Sequence, residues 1–513
     1  MSHIFLYGPP GTGKSTIGKR LARNLSLPFL DLDRVIETNA GMSIAQIMAR
    51  EGETTFRDLE TLALQEAVGR TGTATSQVIA LGGGALLRDE SRRLVESRGT
   101  VVLLMAELET LASRLRNDSG KRPLLAGDLG KKLTRLLDQR REHYSSFPVQ
   151  IKVDGKSAAE NTSAIQNQLG RFHLRAMGEY DVLVERLDKI GDMLHERGLQ
   201  SPIVVTDENV ARLQAESALV ALRQAGCSPK LLTIPAGERY KTLHTVQSLW
   251  NGFLEAGMDR RSTVIALGGG VIGDLAGFAA STYMRGINWV CVPTTLLAMV
   301  DASLGGKTGF DLPQGKNLIG AFYPPRLVLA DPQVLKTLPE SEFISGLAEV
   351  VKHGIISDPE LFDLCLRGLD CVKDELEPMV KRAMAVKIQV IEQDPYEQGL
   401  RAALNLGHTV GHAVELVSGF RLRHGEAVAI GMVAEARLAE RLGIARTGLA
   451  DSIAEVLLKL GLPVQIPEDL SRQEMIAAMG VDKKKSGKGV RFALPVEIGR
   501  VELVDVLDLD GVL

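Results

Sequence analysis

The heptapeptide VIALGGG stands at Val78–Gly84 and again, letter for letter, at Val264–Gly270. Each copy is a short apolar run that stops on three glycines, the pattern of a buried parallel strand ending in a glycine loop. The flanks differ completely: ALLRDE follows the first copy and VIGDLAG the second. A tandem repeat would carry its likeness further than seven residues. The reading is therefore two strands in two different sheets, each loop with a task of its own.

From Met1 to about Gln168 the runs HIFLYG, FLDLD, VIALGGG, VVLLM and VQIKVDG alternate with helical patterns after Lys14, Ser43, Glu107 and Lys131. Strands alternating with helices predict a parallel sheet covered on both faces. Asp154–Gly170 is polar and reads as a last helix passing into a linker. A second series, YDVLVE, SPIVVTD, KLLTIPAG, STVIALGGG, INWVCVPTT and RLVLAD, predicts another α/β unit that ends near Asp331. From about Lys336 to Met479 strand signals fade and apolar residues recur at helical spacing. The expected division is 1–168, a linker at 169–177, an α/β domain at 178–335 and an all-helical domain at 336–513.

Bulk properties agree with several domains, since 513 residues exceed what one hydrophobic core usually supports. A net charge of −3 gives no global argument for nucleic acid or an anionic membrane as partner. Cys227, Cys291, Cys365 and Cys371 form no CxxC pair, which fits reduced thiols in a cytoplasmic protein. The N-terminus enters an apolar strand without the charged region and cleavage site of a signal peptide. The most apolar long stretch, Val264–Ala280, is broken by glycines and Asp274, so it is not read as a membrane span. A cytoplasmic enzyme with small-molecule substrates is the expectation, with neither nucleic acid nor membrane as partner.

In the first half, GPPGTGKST (Gly8–Thr16) lies between a predicted strand and a predicted helix and fits GxxxxGK[ST]. The chemistry needs that arrangement. Backbone N–H groups around Gly11, Gly13 and Thr16 face phosphate oxygens at a helix N-terminus, Lys14 reaches the β/γ-phosphates, and Ser15 ligates Mg²⁺. DLD (Asp31–Asp33) offers Asp31 to the Mg²⁺ shell and Asp33 to a polyol. GETTFRDLE (Gly52–Glu60) places Arg57 to clamp a carboxylate, and GKRPLLAGD (Gly120–Asp128) carries Arg122 on a loop able to close as a lid. Any one of these arginines alone reads as a solvated surface residue. Together, with Gly82–Gly84 and RREHY (Arg140–Tyr144), they resemble shikimate kinase over about residues 1–165. That resemblance implies ATP with Mg²⁺, and shikimate held by Asp33, Arg57, Gly82, Gly83 and Arg140. It also implies that Asp33 lies near the attacking hydroxyl, while Lys14 and Arg122 neutralise the transferring phosphoryl group.

In the second half three of the nine histidines fall in LNLGHTVGHAVELVSGFRLRHGEAVAIGM (Leu404–Met432). His408 and His412 share a helix face, His424 follows a loop, and GLAEVVKHG (Gly346–Gly354) offers Glu349, Lys352 and His353 on another helix. Two neutral imidazoles, one carboxylate and an open position make a catalytic zinc set. VIALGGGVIGDLAG runs strand, glycine loop, helix, a place for a pyrophosphate. TDENV and GERYK supply Asp207, Glu238 and Lys241 for ribose and phosphate contacts. PTTLLAMVDASLGGKTGFD and GKN concentrate Asp301, Lys307, Lys316 and Asn317, a basic group suited to an anionic substrate.

These motifs, in this order, are closely similar to 3-dehydroquinate synthase over about residues 176–505. The resemblance implies Glu349, His408 and His424 on Zn²⁺ or Co²⁺, the choice of metal staying open. It implies NAD⁺ contacts from Asp207, Gly269, Gly270, Asp274, Thr294, Thr295 and Thr337. Lys307, Lys316, Asn317, Arg401, Asn405 and Lys484 would surround the substrate's carboxylate and phosphate, with Lys484 chosen from the several lysines of DKKKSGKG. Lys352, Lys387 and His412 would lie close to the reacting centre, and Arg285 would reach a neighbouring subunit's phosphate, which implies a homodimer. The implied substrate is 3-deoxy-D-arabino-heptulosonate 7-phosphate, converted to 3-dehydroquinate and phosphate with NAD regenerated each turnover. The fold class that follows is an α/β P-loop kinase domain with a parallel sheet, a Rossmann-like α/β NAD-binding domain and an all-helical metal-binding domain.

Three competing readings are open at this stage. The second half has the alternative of a metal-dependent polyol dehydrogenase, against which the GGKTG and GKN clusters argue. The first half has those of a gluconate or nucleoside-monophosphate kinase, against which DLD and FRDLE argue, and of a regulatory nucleotide module.

Overall fold

In the computed structural model, which describes residues 3–69, 76–116, 129–396, 399–480 and 489–513, the chain divides into two compact units, Met1–His173 and Leu174–Leu513. The first unit holds a five-stranded sheet of β1 (His3–Tyr7), β2 (Phe29–Asp31), β3 (Val78–Ala80), β4 (Gly99–Met105) and β5 (Val149–Lys152), in the order β2-β3-β1-β4-β5. All its pairings are parallel. Successive residues of β1 divide between two cores: Phe5 and Tyr7 pack with Ile79 and Leu103 on one face, Ile4 and Leu6 with Val78 and Val102 on the other. This period-two division explains why the strands read as unbroken apolar runs; both faces are dry.

The second unit is built on a seven-stranded sheet, whose first strand, at one edge, begins three residues before the division after His173. Its strands are β6 (Arg171–Leu174), β7 (Tyr180–Val184), β8 (Gln200–Asp207), β9 (Lys230–Ile234), β10 (Ser262–Gly268), β11 (Asn288–Pro293) and β14 (Leu327–Ala330), in the order β6-β7-β14-β11-β10-β8-β9. Strand order reverses between β8 and β10, and a crevice at such a switch point, outside the carboxyl ends of the strands, is where open α/β sheets bind ligands. Between β11 and β14 the chain makes an antiparallel hairpin, β12 (Lys307–Leu312) with β13 (Gly315–Phe322). Helices follow from Glu340–Ser357 to Arg472–Met479, and a second hairpin, β15 (Val490–Glu497) with β16 (Arg500–Val506), comes last.

Three expectations need correction. Residues 169–177 do not form a plain linker, because Arg171–Leu174 is the edge strand of the second sheet. The last domain is helical but not all-helical, since it carries the β15–β16 hairpin. Asp33 does not end a strand; it lies in the first turn of the helix Leu32–Ala40. No described helix is long and apolar enough to cross a membrane.

The two heptapeptides also diverge locally. In the first, strand structure stops at Ala80 and the next helix starts at Asp89. In the second, β10 runs to Gly268, Gly269 caps, and Gly270 opens a helix to Thr282 at once.

Candidate functional site

The loop after β1 is shaped by its glycines. Gly8, Gly11 and Gly13 have φ of 134°, 88° and 91°, and a Cβ on Gly8 would stand 2.1 Å from the Leu104 carbonyl oxygen. Gly13 caps the helix Lys14–Asn24, leaving its first N–H groups without a side-chain partner. Lys14 Nζ donates to the Gly8 and Pro9 carbonyls at 2.7 and 2.9 Å, curled over the loop it would share with a phosphate. Ser15 Oγ donates to Asp31 Oδ2 at 2.6 Å, so the two groups expected around Mg²⁺ do meet.

The first GGG loop lies among the expected acceptor residues. A Cβ on Gly82 would approach Glu60 Oε1 to 2.6 Å and Asp33 Oδ1 to 3.0 Å; one on Gly84 would approach Arg57 Nη2 to 2.5 Å. Arg57 Nη1 donates to Glu60 Oε2 at 2.6 Å. Glu60 is buried, and its burial raises the carboxyl above its ordinary value despite Arg57. The Gly83 carbonyl accepts from Arg140 at 2.7 Å, Tyr144 at 2.9 Å and Tyr7 at 3.3 Å. Asp33, Arg57, Gly82, Gly83 and Arg140 are thus brought together; Arg122 lies outside the described residues.

In the second unit a cleft of about 670 Å³ is lined by Asp274, Asp301, Lys307, Asn317, Lys352, Lys387, Arg401, Asn405 and His408. Beside it Gly268, Gly269, Gly270, Asp274 and Lys307 line a narrow crevice at the end of β10 and the start of the helix Gly270–Thr282. The buried hydroxyls of Thr206, at the end of β8, and Thr294, just past β11, have no protein hydrogen-bond partner. A Cβ on Gly269 would press on the Thr295 methyl at 3.2 Å. Bare backbone at a helix N-terminus with unsatisfied buried hydroxyls fits a dinucleotide's pyrophosphate and ribose.

The cation set fits as well. Donor atoms of Glu349, His408 and His424 lie within 4.8 Å of one another, with Nε2 of His408 and of His424 at 3.6 and 3.7 Å from Glu349 Oε1. Glu349 is fully buried in the helix Glu340–Ser357 and neither carboxylate oxygen has a hydrogen-bond partner, although the Lys352 ammonium touches it. Burial works against its charge, yet Lys352 and the two imidazoles hold the carboxyl well below its ordinary value. Burial and then Lys352 push His408 down to about 3, which leaves a neutral ring. His424 is also pulled down by burial, but the Glu349 and Glu415 carboxylates facing its two ring nitrogens outweigh that and push it up to about 10.

His408 opens the helix His408–Val417, whose cap, Gly407, has φ of 79° and no side chain to offer. A carboxylate from the neighbouring helix His424–Arg441 does the work instead: fully buried Glu435 accepts from the Gly407 and Val410 N–H groups at 2.6 and 3.2 Å. The two helices touch backbone to backbone, since a Cβ on Gly431 would stand 2.0 Å from the Gly407 carbonyl oxygen. That contact sets the spacing of His408 and His424.

Residues 10–170 match the family model for shikimate kinase; residues 231–345 and 346–485 match those for the N- and C-terminal parts of 3-dehydroquinate synthase. The 3-dehydroquinate synthase of Synechocystis sp. (strain ATCC 27184 / PCC 6803 / Kazusa) is 48% identical over 329 residues, which cover 63% of this chain and 91% of that protein. This chain belongs to the 3-dehydroquinate synthase family. Its first unit is a shikimate kinase domain. The synthase of Symbiobacterium thermophilum is likewise 48% identical, covering 60% of this chain and 88% of that protein. Among solved structures, 2-deoxy-scyllo-inosose synthase complexed with carbaglucose-6-phosphate, NAD⁺ and Co²⁺ superposes with a TM-score of 0.60 at 28% identity, over 65% of this chain and 94% of that one. A 2-epi-5-epi-valiolone synthase from Streptomyces hygroscopicus with NAD⁺ and Zn²⁺ bound gives 0.60 at 29%, over the same shares.

Several expected synthase residues have protein partners or positions that their assignment did not include. Lys241 is buried and tied to Asp274 at 2.7 Å and Asn317 at 2.5 Å, pinning the β12–β13 hairpin. Lys316 lies over the Phe420 ring at 4.3 Å and is absent from the cleft lining. Thr337 Oγ1 accepts from Gln214, Asp207 caps a short helix through Asn209 and Val210, and Glu238 stands in a 3-10 turn. Neither Arg285 nor His412 lines the cleft; His412 faces a second hollow with Asn405 and His408. Lys387 Nζ donates to Asp301 Oδ1 at 2.5 Å. Burial lowers Lys387, whereas Lys387 pulls Asp301 down to about 2 against its own burial. Lys484 lies outside the described residues. Sequence reasoning missed Glu60, Glu415 and Glu435, acidic residues at helical positions whose only signal is spacing: three after Arg57, seven after His408 and eleven after His424.

Proposed function

We propose that the first unit transfers the γ-phosphoryl group of ATP to shikimate, and that the second converts 3-deoxy-D-arabino-heptulosonate 7-phosphate to 3-dehydroquinate and phosphate. The reading is carried by one juxtaposition: His408 of the Glu349–His408–His424 cluster lines the same cleft as Lys307, Lys352, Lys387 and Arg401, next to a glycine crevice. A polyol dehydrogenase has no use for so many cations in one cleft.

Glu349, His408 and His424 would hold the divalent cation, and Gly269, Gly270 and Thr294 the dinucleotide. When bound, the cation would supply a Lewis acid for a secondary alcohol and the dinucleotide a reversible hydride acceptor. Lys307, Arg401 and Asn405 bind the anionic ends of the substrate and keep it in register with the cluster. Lys352 Nζ and Lys387 Nζ, both buried, balance charge developing on oxygen, and Asp301 holds Lys387 in place. Arg285 would serve the neighbouring copy's cleft in a homodimer. In the kinase unit Lys14 and the helix N-terminus receive the phosphates, Ser15 and Asp31 hold Mg²⁺, and Arg57 and Arg140 hold the shikimate carboxylate. Asp33 takes the hydroxyl proton. Such an enzyme belongs in the cytoplasm.

The test supplies each substrate in turn to the purified chain. ADP must form with shikimate, and phosphate must be released with catalytic NAD⁺ and be lost on chelation. NADH accumulating one for one with substrate would reverse the synthase reading, and no ADP with shikimate would reverse the kinase reading.

A further inference from the structure

His424 offers its two ring nitrogens to two different carboxylates. Nε2 lies 3.7 Å from Glu349 Oε1, and Nδ1 lies 3.3 Å from Glu415 Oε2. Glu415 sits about two turns beyond His408 on the helix His408–Val417, only 9% exposed. His408 is held in the same manner, its Nδ1 at 3.2 Å from the Leu406 carbonyl oxygen and its Nε2 toward Glu349. Both imidazoles therefore have the outer nitrogen engaged and the inner one aimed at a single point.

Two donor sets share His424: Glu349–His408–His424 and His412–Glu415–His424. They give Glu415 opposite tasks, an orienting acceptor in one case and a ligand in the other. The inner set has the fully buried carboxylate; the outer one depends on exposed His412 and feels the positive charge of Lys316, which acts on both His412 and Glu415. We propose that Glu415 is a positioning residue. With a cation in the seat, accepting the Nδ1–H of His424 fixes the tautomer whose Nε2 lone pair is turned to that cation beside Glu349, locks the ring and raises its basicity as a ligand. This rests on reading the Glu349–His408–His424 cluster as the cation seat.

The test strips the full-length chain with a chelator and titrates it with Co²⁺ against a chromophoric chelator, following the visible absorption of the bound ion. Glu415→Ala should weaken Co²⁺ binding about 10–100-fold and alter the spectrum. Glu415→Gln, whose amide oxygen still accepts from Nδ1, should recover most of the loss. The melting of both metal-free variants should match that of the unmodified chain, which separates positioning from a structural defect. Binding by Glu415→Ala within twofold of the unmodified chain would overturn the proposal. So would uptake of two ions that falls to one in Glu415→Ala with the tighter ion unaffected, because Glu415 would then ligate a second cation. An unmodified chain that takes up no Co²⁺ at the cluster would overturn the cation seat itself.

Discussion

At Gly82 a single methyl group decides whether an acceptor fits. Gly82→Ala places a Cβ 2.6 Å from Glu60 Oε1 and 3.0 Å from Asp33 Oδ1, and overpacking of this kind costs about 1–3 kcal/mol. We expect a rise of about tenfold or more in the shikimate KM, consistent with roughly 1.4 kcal/mol, while synthase turnover stays unchanged; steady-state assays of both activities check it. Arg57→Ala should weaken shikimate binding further and also leave Glu60 buried without its cation, so its kinase loss should exceed that of Gly82→Ala. Residues of this sort were legible where the chemistry fixes type and spacing, as in GKST or GHTVGHA. Glu60 was not, because a glutamate three after an arginine is an ordinary surface pair until tertiary packing buries it. Lys241 shows a related limit: a lysine closing GERYK reads as a ribose or phosphate contact, and nothing local reveals that Asp274 and Asn317 face its ammonium.

Pairs of elements set the distances between those residues. A Cβ at Gly431 would meet the Gly407 carbonyl oxygen at 2.0 Å, so Gly431→Ala must push the His408 and His424 helices apart. The expected result is a destabilised second unit, by about 1–3 kcal/mol, and weaker uptake of Co²⁺ by the same variant. The cap between these helices adds a pH dependence. Burial pushes Glu435 up to about 8 although backbone N–H groups pull it the other way. A carboxyl whose folded value lies above its unfolded one keeps its proton more firmly in the folded chain, so stability falls as pH rises from the ordinary carboxylate range toward 8. Glu435→Met lacks that slope. It should melt below the unmodified chain at pH 5.5, and the gap should narrow at pH 8.5. The helices themselves were evident from apolar spacing, whereas the β12–β13 hairpin was not. Its strands face each other through Gly309 and Gly320, where a Cβ would strike backbone oxygens at 2.3 and 2.2 Å, and glycines at such positions erase the alternation that announces a strand.

For the molecule as a whole, the residues of the two candidate sites fall in different compact units of the chain. Lys14→Met should abolish ADP formation with phosphate release from the heptulosonate unchanged, and Glu349→Gln should do the reverse; assaying both variants for both reactions is sufficient. Trp250 and Trp289 both belong to the second unit, so indole fluorescence reports on that unit alone. Chelation should lower the midpoint of this signal, as the loss of any ligand that binds the folded form must. Strand–helix alternation is long-range and redundant, so a division near residue 170 was open to sequence reading, but the Arg171–Leu174 strand was lost in a short polar boundary and the expected domains 178–335 and 336–513 belong to one compact unit. There remains the carbonyl of Gly83. Three side chains donate to an oxygen that has two lone pairs, so the Arg140 guanidinium is in surplus there. An arriving carboxylate can borrow that arm while Tyr144 and Tyr7 keep the oxygen satisfied, and the guest meets a half-buried cation already aimed.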